Sequence, residues 1–353
     1  MGLLGAAIDL GSAYKQREQL LIAADSASLV AVSQGSPGLL AAAAMTADGP
    51  APAAESEAVK AFYGEVNGQD AKLQPHATSI VTKAGMVVTS TMDFTVDMPT
   101  HFLELFGLPW LTINGHATSV SGTPAFVDFY LLLDNSPSMG VAATPADIAL
   151  LKANTLHTAA DGEAPNGCAF ACHESDYPGA AHCVGGVDCY TVAKNTSVTL
   201  RIDVLRQATQ KLMDTAAVTA SAPKQFRMAI DTFNLTTQAI SPLTANLAAA
   251  KADANAIDLM SVNFQGENND RFTDLGAALD ATTLKVPSSD TGTDAAHTQK
   301  VVFLVTDGVT DQQLSTADSI VSGANSQLGG DRLIQTADPA QCAAMKAKSS
   351  RLP

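Results

Sequence analysis

The segment FVDFYLLLDNSPSMG, residues 126–140, joins an almost unbroken apolar run to a cluster of oxygen-bearing side chains. So apolar a run is typical of a strand buried on both faces, and such strands belong to parallel sheets covered by helices. The run at 301–305 is similar and is followed by the tripeptide TDG at 306–308. Both segments predict buried strands whose carboxyl ends carry polar groups.

The sequence around these two strands alternates between helical and extended patterns. Strands that alternate with helices indicate a doubly wound, mostly parallel α/β domain, which we assign to residues 124–353. Helices are predicted at 146–154, 198–218, 245–259 and 274–284, and a third strand at 226–233.

The N-terminal third has a different pattern of apolar residues. Apolar residues recur at helical spacing through residues 1–46, which predicts one long helix that the group Gly35, Pro37 and Gly38 could break. Its apolar start is much shorter than the ~20 residues that cross a bilayer. This apolar start fits either a capped globular helix or the tail of a membrane span whose first half is missing.

Residues 47–123 are predicted to form a small antiparallel β region behind that helix. Residues 47–54 are rich in alanine and proline and read as a linker. Apolar and polar side chains alternate strictly in 91–98 and again in 111–114, which is the pattern of strands with one solvent-exposed face.

Composition excludes several classes of function. The 353 residues are 46% hydrophobic and 16% charged, with a formal net charge of −15. An acidic chain without a basic cluster is a poor nucleic-acid ligand, because phosphate binding needs lysine and arginine. The chain also lacks a phosphate-binding loop and a Gly-x-Ser-x-Gly nucleophile turn, so we expect no enzyme.

Polar residues gather where the carboxyl edge of the predicted sheet should lie. Ligands bind at this edge in doubly wound folds. Two carboxylates and three hydroxyls suit a six-coordinate Mg²⁺ or Mn²⁺ ion. Asp134, Asp307 and Thr273 have a simpler alternative role as helix caps. The predicted ligands are Asp134, Ser136, Ser138, Thr273 and Asp307.

This pattern resembles the metal-ion-dependent adhesion site of von Willebrand factor A-type domains. The motif Asp-x-Ser-x-Ser stands at 134–138, with Thr273 and Asp307 apart from it. The resemblance implies that the three hydroxyls touch the metal and that Asp134 and Asp307 act mainly through water. It also implies one open coordination position for a Glu or Asp carboxylate of a protein partner.

A second resemblance, to TadG-like Flp pilus-assembly proteins, rests on the sequence LGAAIDLG at 4–11, on Tyr14 and Arg17, and on CAFACH at 168–173. It implies a pilin-like N-terminal region, an inner-membrane anchor at the bacterial cell envelope, and an A-type domain in the periplasm or outside the cell. It also implies a complete span and a further strand and helix after 340–348, so the chain reads as truncated at both ends.

Four of the five cysteines lie in a segment at about 160–196, which reads as an insertion in the first crossover. A Gly-rich, polar setting favours disulfides in an oxidising compartment. A zinc site including His173 and His182 is the alternative, and a haem-attachment box fits poorly because three residues separate the first pair. The disulfide candidates are Cys168, Cys172, Cys183 and Cys189; Cys342 is remote.

The leading interpretation is therefore a non-enzymatic, metal-dependent binding or adhesion component of Flp pilus assembly, whose partners are pilus or envelope proteins. One alternative is a structural pilus component with a vestigial metal site. Another is a regulatory subunit of an ATP-driven machine similar to a metal chelatase.

Overall fold

The computed structural model describes residues 2–66, 74–156, 166–171, 173, 187–262, 273–308, 310–313, 332–335 and 338–349. These residues form two compact units. The first unit comprises Met1–Phe126, Ser221–Gln225 and Thr291–Thr298. The second comprises Val127–Ala220, Phe226–Asp290 and Gln299–Pro353.

The first unit packs three helices against a four-stranded antiparallel sheet of order β1-β2-β3-β4. No described helix combines the length and the apolar character that crossing a bilayer requires. The elements are α1 Gly2–Val32, α2 Pro37–Ala43, β1 Gly49–Pro50, α3 Pro52–Val66, β2 His76–Ala84, β3 Val87–Pro99 and β4 Trp110–Gly122.

Helix α1 packs through one face of mostly small side chains. Leu20, Ala23, Ala24, Ala27 and Ala31 are fully buried and recur every three or four residues, which places them on one side of the helix. They share an apolar core with alternate residues of β3. The period-two prediction for 91–98 is thereby confirmed.

The helix predicted over 1–46 is divided into α1 and α2, because the chain turns at the group Gly35, Pro37 and Gly38 that was expected to allow a break. Gly35 adopts a φ of +80° in this turn, and α2 begins at Pro37. Ser36 caps α2 by accepting the N–H of Leu39 at 3.0 Å. Proline fits the first helical position because it has no N–H to lose there.

The sequence pattern did not predict helix α3 and strand β2 of the first unit. Helix α3 occupies part of the predicted linker 47–54 and buries Ala54, Ala58 and Phe62, each four residues apart. Strand β2 was missed because a lysine interrupts its inward face. Lys83 is only 3% exposed, and its ammonium group donates to the carbonyl of Met45 at 2.5 Å.

The second unit is a four-stranded sheet with helices on both faces, together with a two-stranded ribbon of β9 and β10. Its elements are β5 Val127–Asp134, α4 Pro145–Asn154, α5 Cys189–Asn195, α6 Arg201–Thr219, β6 Phe226–Phe233, β7 Thr237–Thr244, α7 Leu247–Asp253, α8 Leu275–Lys285, β8 Gln299–Val305, β9 Thr310–Gln313, β10 Arg332–Gln335 and α9 Pro339–Lys348.

Strand β5 lies inside this sheet and is buried on both faces. Leu131 and Leu133 belong to the core that includes α6 and α7, whereas Leu132 contacts the core of α8 and α9. Alternate residues of β5 therefore pack against helices on opposite faces of the sheet, as the almost unbroken apolar run at 126–133 predicts.

The sheet is mixed, and the described residues do not show the expected doubly wound, mostly parallel arrangement. Its order is β7-β6-β5-β8, with β6, β5 and β8 parallel and β7 antiparallel. After β6 the chain reverses in a tight turn, where the N–H of Asn234 donates to the carbonyl of Thr236 at 3.1 Å. So short a connection allows only an antiparallel neighbour.

Strand β8 is less buried than its composition predicts. Within the described residues it pairs with β5 alone, and Phe303, Leu304 and Val305 keep 39%, 37% and 39% of their surface exposed. An apolar run alone cannot tell an inner strand from the outermost described one, because burial depends on neighbours distant in sequence.

A buried ion cluster joins the amino-terminal ends of the three parallel strands. Asp128 on β5 is fully buried and is the register partner of both Arg227 on β6 and Lys300 on β8. Arg227 binds its two carboxylate oxygens at 2.6 Å each, and the Lys300 ammonium lies 3.2 Å from Oδ2. Two cations thus compensate one buried carboxylate.

We expect Asp128→Ala to lower the free energy of unfolding by about 3–5 kcal/mol, because it leaves two cations without their buried counter-ion. Replacing Asp128, Arg227 and Lys300 together by apolar residues of similar size should cost less than the single change. Urea unfolding measures both. A single variant as stable as the wild type would contradict the role of the cluster.

Candidate metal centre at the carboxyl ends of β5 and β8

Parallel pairing brings two polar loops to one edge of the sheet. Strands β5 and β8 run side by side in register, with Leu133 opposite Val305. The loop that starts at Asp134 and the loop that contains Thr306 and Asp307 therefore begin next to each other. This is the edge where open α/β sheets bind ligands.

Asp134 links the two loops. Its side chain is completely buried. Oδ1 accepts the backbone N–H of Ser136 at 2.8 Å, and Oδ2 accepts the hydroxyl of Thr306 at 2.7 Å. The carboxylate thus fixes the start of its own loop and the start of the neighbouring one.

The charge of Asp134 has no cationic partner among the described residues, where no lysine, arginine or histidine forms an ion pair with it. Burial raises the pKa of this carboxyl group, and the nearby negative charge of Asp307 raises it further, although bonds from Ser136 and Thr306 oppose the change. A buried, uncompensated carboxylate is energetically costly.

The other residues of the 134–138 motif continue as a hydrogen-bonded chain. The hydroxyls of Ser136 and Ser138 lie 3.0 Å apart, and Ser138 donates to Oδ1 of Asp307 at 2.8 Å. The second oxygen of Asp307 pairs with the guanidinium group of Arg201, at the start of α6. Asp134, Ser136, Ser138 and Asp307 are therefore brought together.

Thr273 reaches this edge through its backbone. It exchanges two hydrogen bonds with Asp311, of 3.2 and 2.9 Å, and its side chain is buried. The following residue, Asp274, donates its N–H to the carbonyl of Asn234, whose side-chain amide donates to Asn135 beside Asp134. In the described residues no hydrogen bond joins the Thr273 hydroxyl to the other four predicted ligands.

The donor set fits a hard divalent cation. Carboxylate and hydroxyl oxygens are the ligands that Mg²⁺ and Mn²⁺ prefer. No described group of three or more His, Cys, Asp or Glu side chains is arranged to hold a metal. This finding does not bear on a set of two carboxylates and three hydroxyls, whose role as metal ligands stays a prediction.

Sequence reasoning gave no role to Thr306 or Arg201. Thr306 could have been noticed, because it lies between an apolar strand and Asp307. Arg201 could not, because it lies 106 residues from Asp307 in the chain and opens a helix that the pattern places only approximately.

The cysteine prediction is only partly within the described residues. Cys168 has a free thiol whose sulfur lies 3.1 Å from the carbonyl oxygen of Phe170, so its predicted pairing is not found. Cys189 is disulfide-bonded. Cys172 and Cys183 lie outside the described residues, and Cys342 is free.

His173, the described member of the alternative zinc set, has another partner. Its Nδ1 lies 2.9 Å from Oδ2 of Asp188, the residue that caps α5. Its ring packs against Tyr190, with 4.5 Å between ring centroids. His182 lies outside the described residues.

Residues 1–34 match a pilus-assembly family. The matching family model is described as putative Flp pilus-assembly TadE/G-like. It covers all of α1 and none of the second unit, so the match concerns the N-terminal helix rather than the whole chain. No curated protein matches the chain.

Several solved structures are similar at a low level. A point mutant of the PilB minor pilin from Streptococcus sanguinis matches with 13% identity and a TM-score of 0.32, over 75% of this chain and 55% of that one. The type V pili tip protein Mfa5 from Porphyromonas gingivalis, as three N-terminal domains, matches with 14% identity and a TM-score of 0.27, over 72% and 30%.

BatB from Bacteroides thetaiotaomicron, a conserved hypothetical protein, matches with 12% identity and a TM-score of 0.25, over 63% of this chain and 85% of that one. Scores this low support no statement about the fold or function of this chain. The chain spans about half the length of the PilB structure.

We expect Asp134→Asn to leave the cation-free protein at least as stable as the wild type at neutral pH. The amide keeps the size and one of the two acceptor oxygens, for the N–H of Ser136, and its NH₂ group can donate to the hydroxyl of Thr306. It removes the desolvated charge, and each unit of raised pKa corresponds to about 1.4 kcal/mol. Thermal unfolding in chelator measures this effect.

The matched control is Asp128→Asn, on the same strand, which should lose stability because that carboxylate has two cationic partners. An equal loss of stability in both variants would contradict the distinction between the two buried carboxylates.

Proposed function

We propose that this chain is a non-enzymatic component of Flp (tight adherence) pilus assembly at the bacterial cell envelope. In this proposal it binds a protein partner through one divalent cation, Mg²⁺ or Mn²⁺. The partner supplies a Glu or Asp carboxylate. The residues that would hold the cation are Asp134, Ser136, Ser138, Thr273 and Asp307.

The observation that carries the metal proposal is the contrast between the two ends of β5. Asp128 is buried with Arg227 and Lys300 against its carboxylate. Asp134 is equally buried, and its described partners are a backbone N–H and a hydroxyl. A cation at the carboxyl edge would offset this charge, and the second carboxylate of Asp307 lies on the same hydrogen-bonded chain.

The proposed hydroxyl ligands are uncharged, and this sets how much positive charge a bound cation would keep. Ser136, Ser138 and Thr273 bring oxygen atoms without charge, so a dication held here would keep part of its positive charge. Such an ion supplies a Lewis-acidic position for an anionic group of a partner. Thr306 and the N–H of Ser136 would continue to orient the carboxylate of Asp134.

The pilus context rests on the N-terminal helix. Residues 1–34 match the TadE/G-like family model, and α1 begins with apolar side chains exposed at Leu4, Ile8 and Leu10. These observations support a place at the envelope, with α1 as the contact to the inner membrane and the second unit in the periplasm or outside the cell.

One observation favours a second candidate, a structural pilus component with a vestigial metal site. The guanidinium group of Arg201 already pairs with Asp307. An internal cation could replace a metal at that carboxylate. The two candidates differ in whether partner binding depends on a divalent ion.

We expect the full chain to bind one Mn²⁺ ion by calorimetry, and Asp134→Ala and Asp307→Ala to abolish binding with the far-UV spectrum unchanged. Capture of envelope proteins should require Mn²⁺ and fail in chelator. Asp214→Asn, which removes an exposed carboxylate paired with Lys251, is the control and should bind normally. Equal Mn²⁺ affinity in the wild type and both alanine variants would overturn the metal site.

We expect Arg201→Gln to bind Mn²⁺ more tightly, by about fivefold, because the guanidinium group competes for Asp307 and repels a second cation. The effect is modest because Arg201 is partly exposed and solvent screens it. Lys211→Gln, exposed on the same helix, controls for the change in net charge. Weaker binding by Arg201→Gln would show that the arginine positions Asp307 rather than competing for it.

A further inference from the structure

The connection between β3 and β4 exposes a group of large apolar side chains. We call residues 100–110 the hairpin tip; it contains a 3₁₀ turn at Leu103–Phe106. Leu105 is 80% exposed, Phe106 65%, Leu108 53% and Trp110 59%. Monomeric soluble proteins rarely expose so many neighbouring apolar groups, so the tip needs an explanation.

The hairpin tip is fixed to the first turns of α1. The buried carboxylate of Asp9 accepts the backbone N–H groups of His101, Phe102 and Leu103 at 3.2, 2.8 and 2.8 Å. Burial would raise the pKa of Asp9, but these three bonds outweigh it and hold the pKa below its usual value. The carboxylate is therefore charged and satisfied inside the protein.

The ring of Phe102 packs on α1 at Gly5. A Cβ atom at this glycine would lie 2.6 Å from two atoms of the ring, so a side chain there would displace the tip. Leu4, Ile8 and Leu10 lie in the same turns of α1 and are 72%, 56% and 55% exposed. At about 3.6 residues per turn, Leu4 and Ile8 lie on one side of the Gly5 contact and Leu10 on the other, so exposed apolar side chains of the helix start flank the hairpin tip at one end of the first unit.

Most backbone N–H groups of the tip are satisfied internally. Besides the three N–H groups bound by Asp9, those of Thr100, Leu105, Gly107 and Leu108 donate to carbonyls within the tip, at 2.9–3.3 Å. Pro109 has no N–H. Unsatisfied backbone groups are costly in a hydrocarbon environment, so these internal bonds lower the cost of bringing the tip into the membrane interface.

Formal charges are few on the tip. Residues 100–110 carry one carboxylate, Glu104, and no lysine or arginine, in a chain of net charge −15. An acidic protein is repelled by anionic headgroups, so a sparsely charged end is the one that can approach a membrane.

We propose that the hairpin tip and the first turns of α1 together form a surface that inserts into the interface of a lipid bilayer. Aromatic and leucine side chains above a self-satisfied backbone suit the boundary between headgroups and acyl chains. The surface does not cross the membrane, and it acts without the metal centre. It orients the first unit by a second contact in addition to the helix.

Trp110 is the only tryptophan in the chain, so its fluorescence reports on the tip alone. With the full chain in chelator, phosphatidylcholine vesicles should shift its emission to shorter wavelength, and lipids brominated near the headgroup should quench it. Phosphatidylglycerol should not strengthen binding, because the tip carries no lysine or arginine to attract an anionic headgroup. No emission shift with either kind of vesicle would overturn the proposal.

Substitutions separate the tip from α1 alone. Leu105→Glu and Phe106→Glu should each weaken vesicle binding by about tenfold or more. Each change places a charge where the proposed surface inserts an apolar side chain into the lipid. Glu104→Gln should strengthen binding several-fold. Val218→Glu, at a similarly exposed apolar position on α6, is the matched control and should bind as the wild type does.

Two results would reject the bilayer. Equal vesicle binding by Leu105→Glu, Phe106→Glu and the wild type would mean that the helix start alone makes the contact. Self-association of the wild type that these variants lose, without vesicle binding, would assign the surface to a second copy of the chain. Mn²⁺ calorimetry on the same samples tests the metal site separately, so the two proposals can fail independently.

Discussion

The buried carboxylate of Asp134 is the interaction on which the candidate site depends. It joins the loop after β5 to Thr306, 172 residues further along the chain, and it does so at the point where two parallel strands end. Ser136 and Ser138 then carry the hydrogen bonds from this anchor to Asp307. Together with the pairing of β5 and β8 and the bond from Ser138 to Asp307, this contact holds the two loops next to each other at this edge.

The strand that carries Asp134 also shows how the protein manages buried charge. At its amino-terminal end, Asp128 is matched by two cations from the adjacent strands. At its carboxyl end, Asp134 and Asp307 bring two negative charges together, and Arg201 reaches only the outer one. Natural proteins keep such imbalance at functional sites and offset it with interactions elsewhere. The imbalance is therefore a stronger pointer to cation binding than the motif alone.

The first unit uses the same chemistry to a different end. Asp9 is buried like Asp134, but it is satisfied by three backbone N–H groups, so its charge needs no external ion. Its effect is structural, because it locks the hairpin tip onto α1 and leaves the apolar side chains outside. Asp134 thus keeps a negative charge that a cation would offset, whereas Asp9 holds in place the loop that carries the exposed apolar side chains.

The sequence by itself determined the buried strand β5, the alternating face of β3, and four of the oxygen-bearing side chains that meet at one edge, because periodicity and strand-end polarity are local properties. It did not determine the antiparallel β7, the exposure of β8 or the inward Lys83, because these depend on neighbours brought from elsewhere in the chain. Tertiary structure alone decided that Arg201 pairs with Asp307 and that Asp9 accepts backbone hydrogen bonds from a loop more than ninety residues away. Distance in sequence hides such pairs, since an electrostatic contact needs proximity in space and leaves no periodic signal.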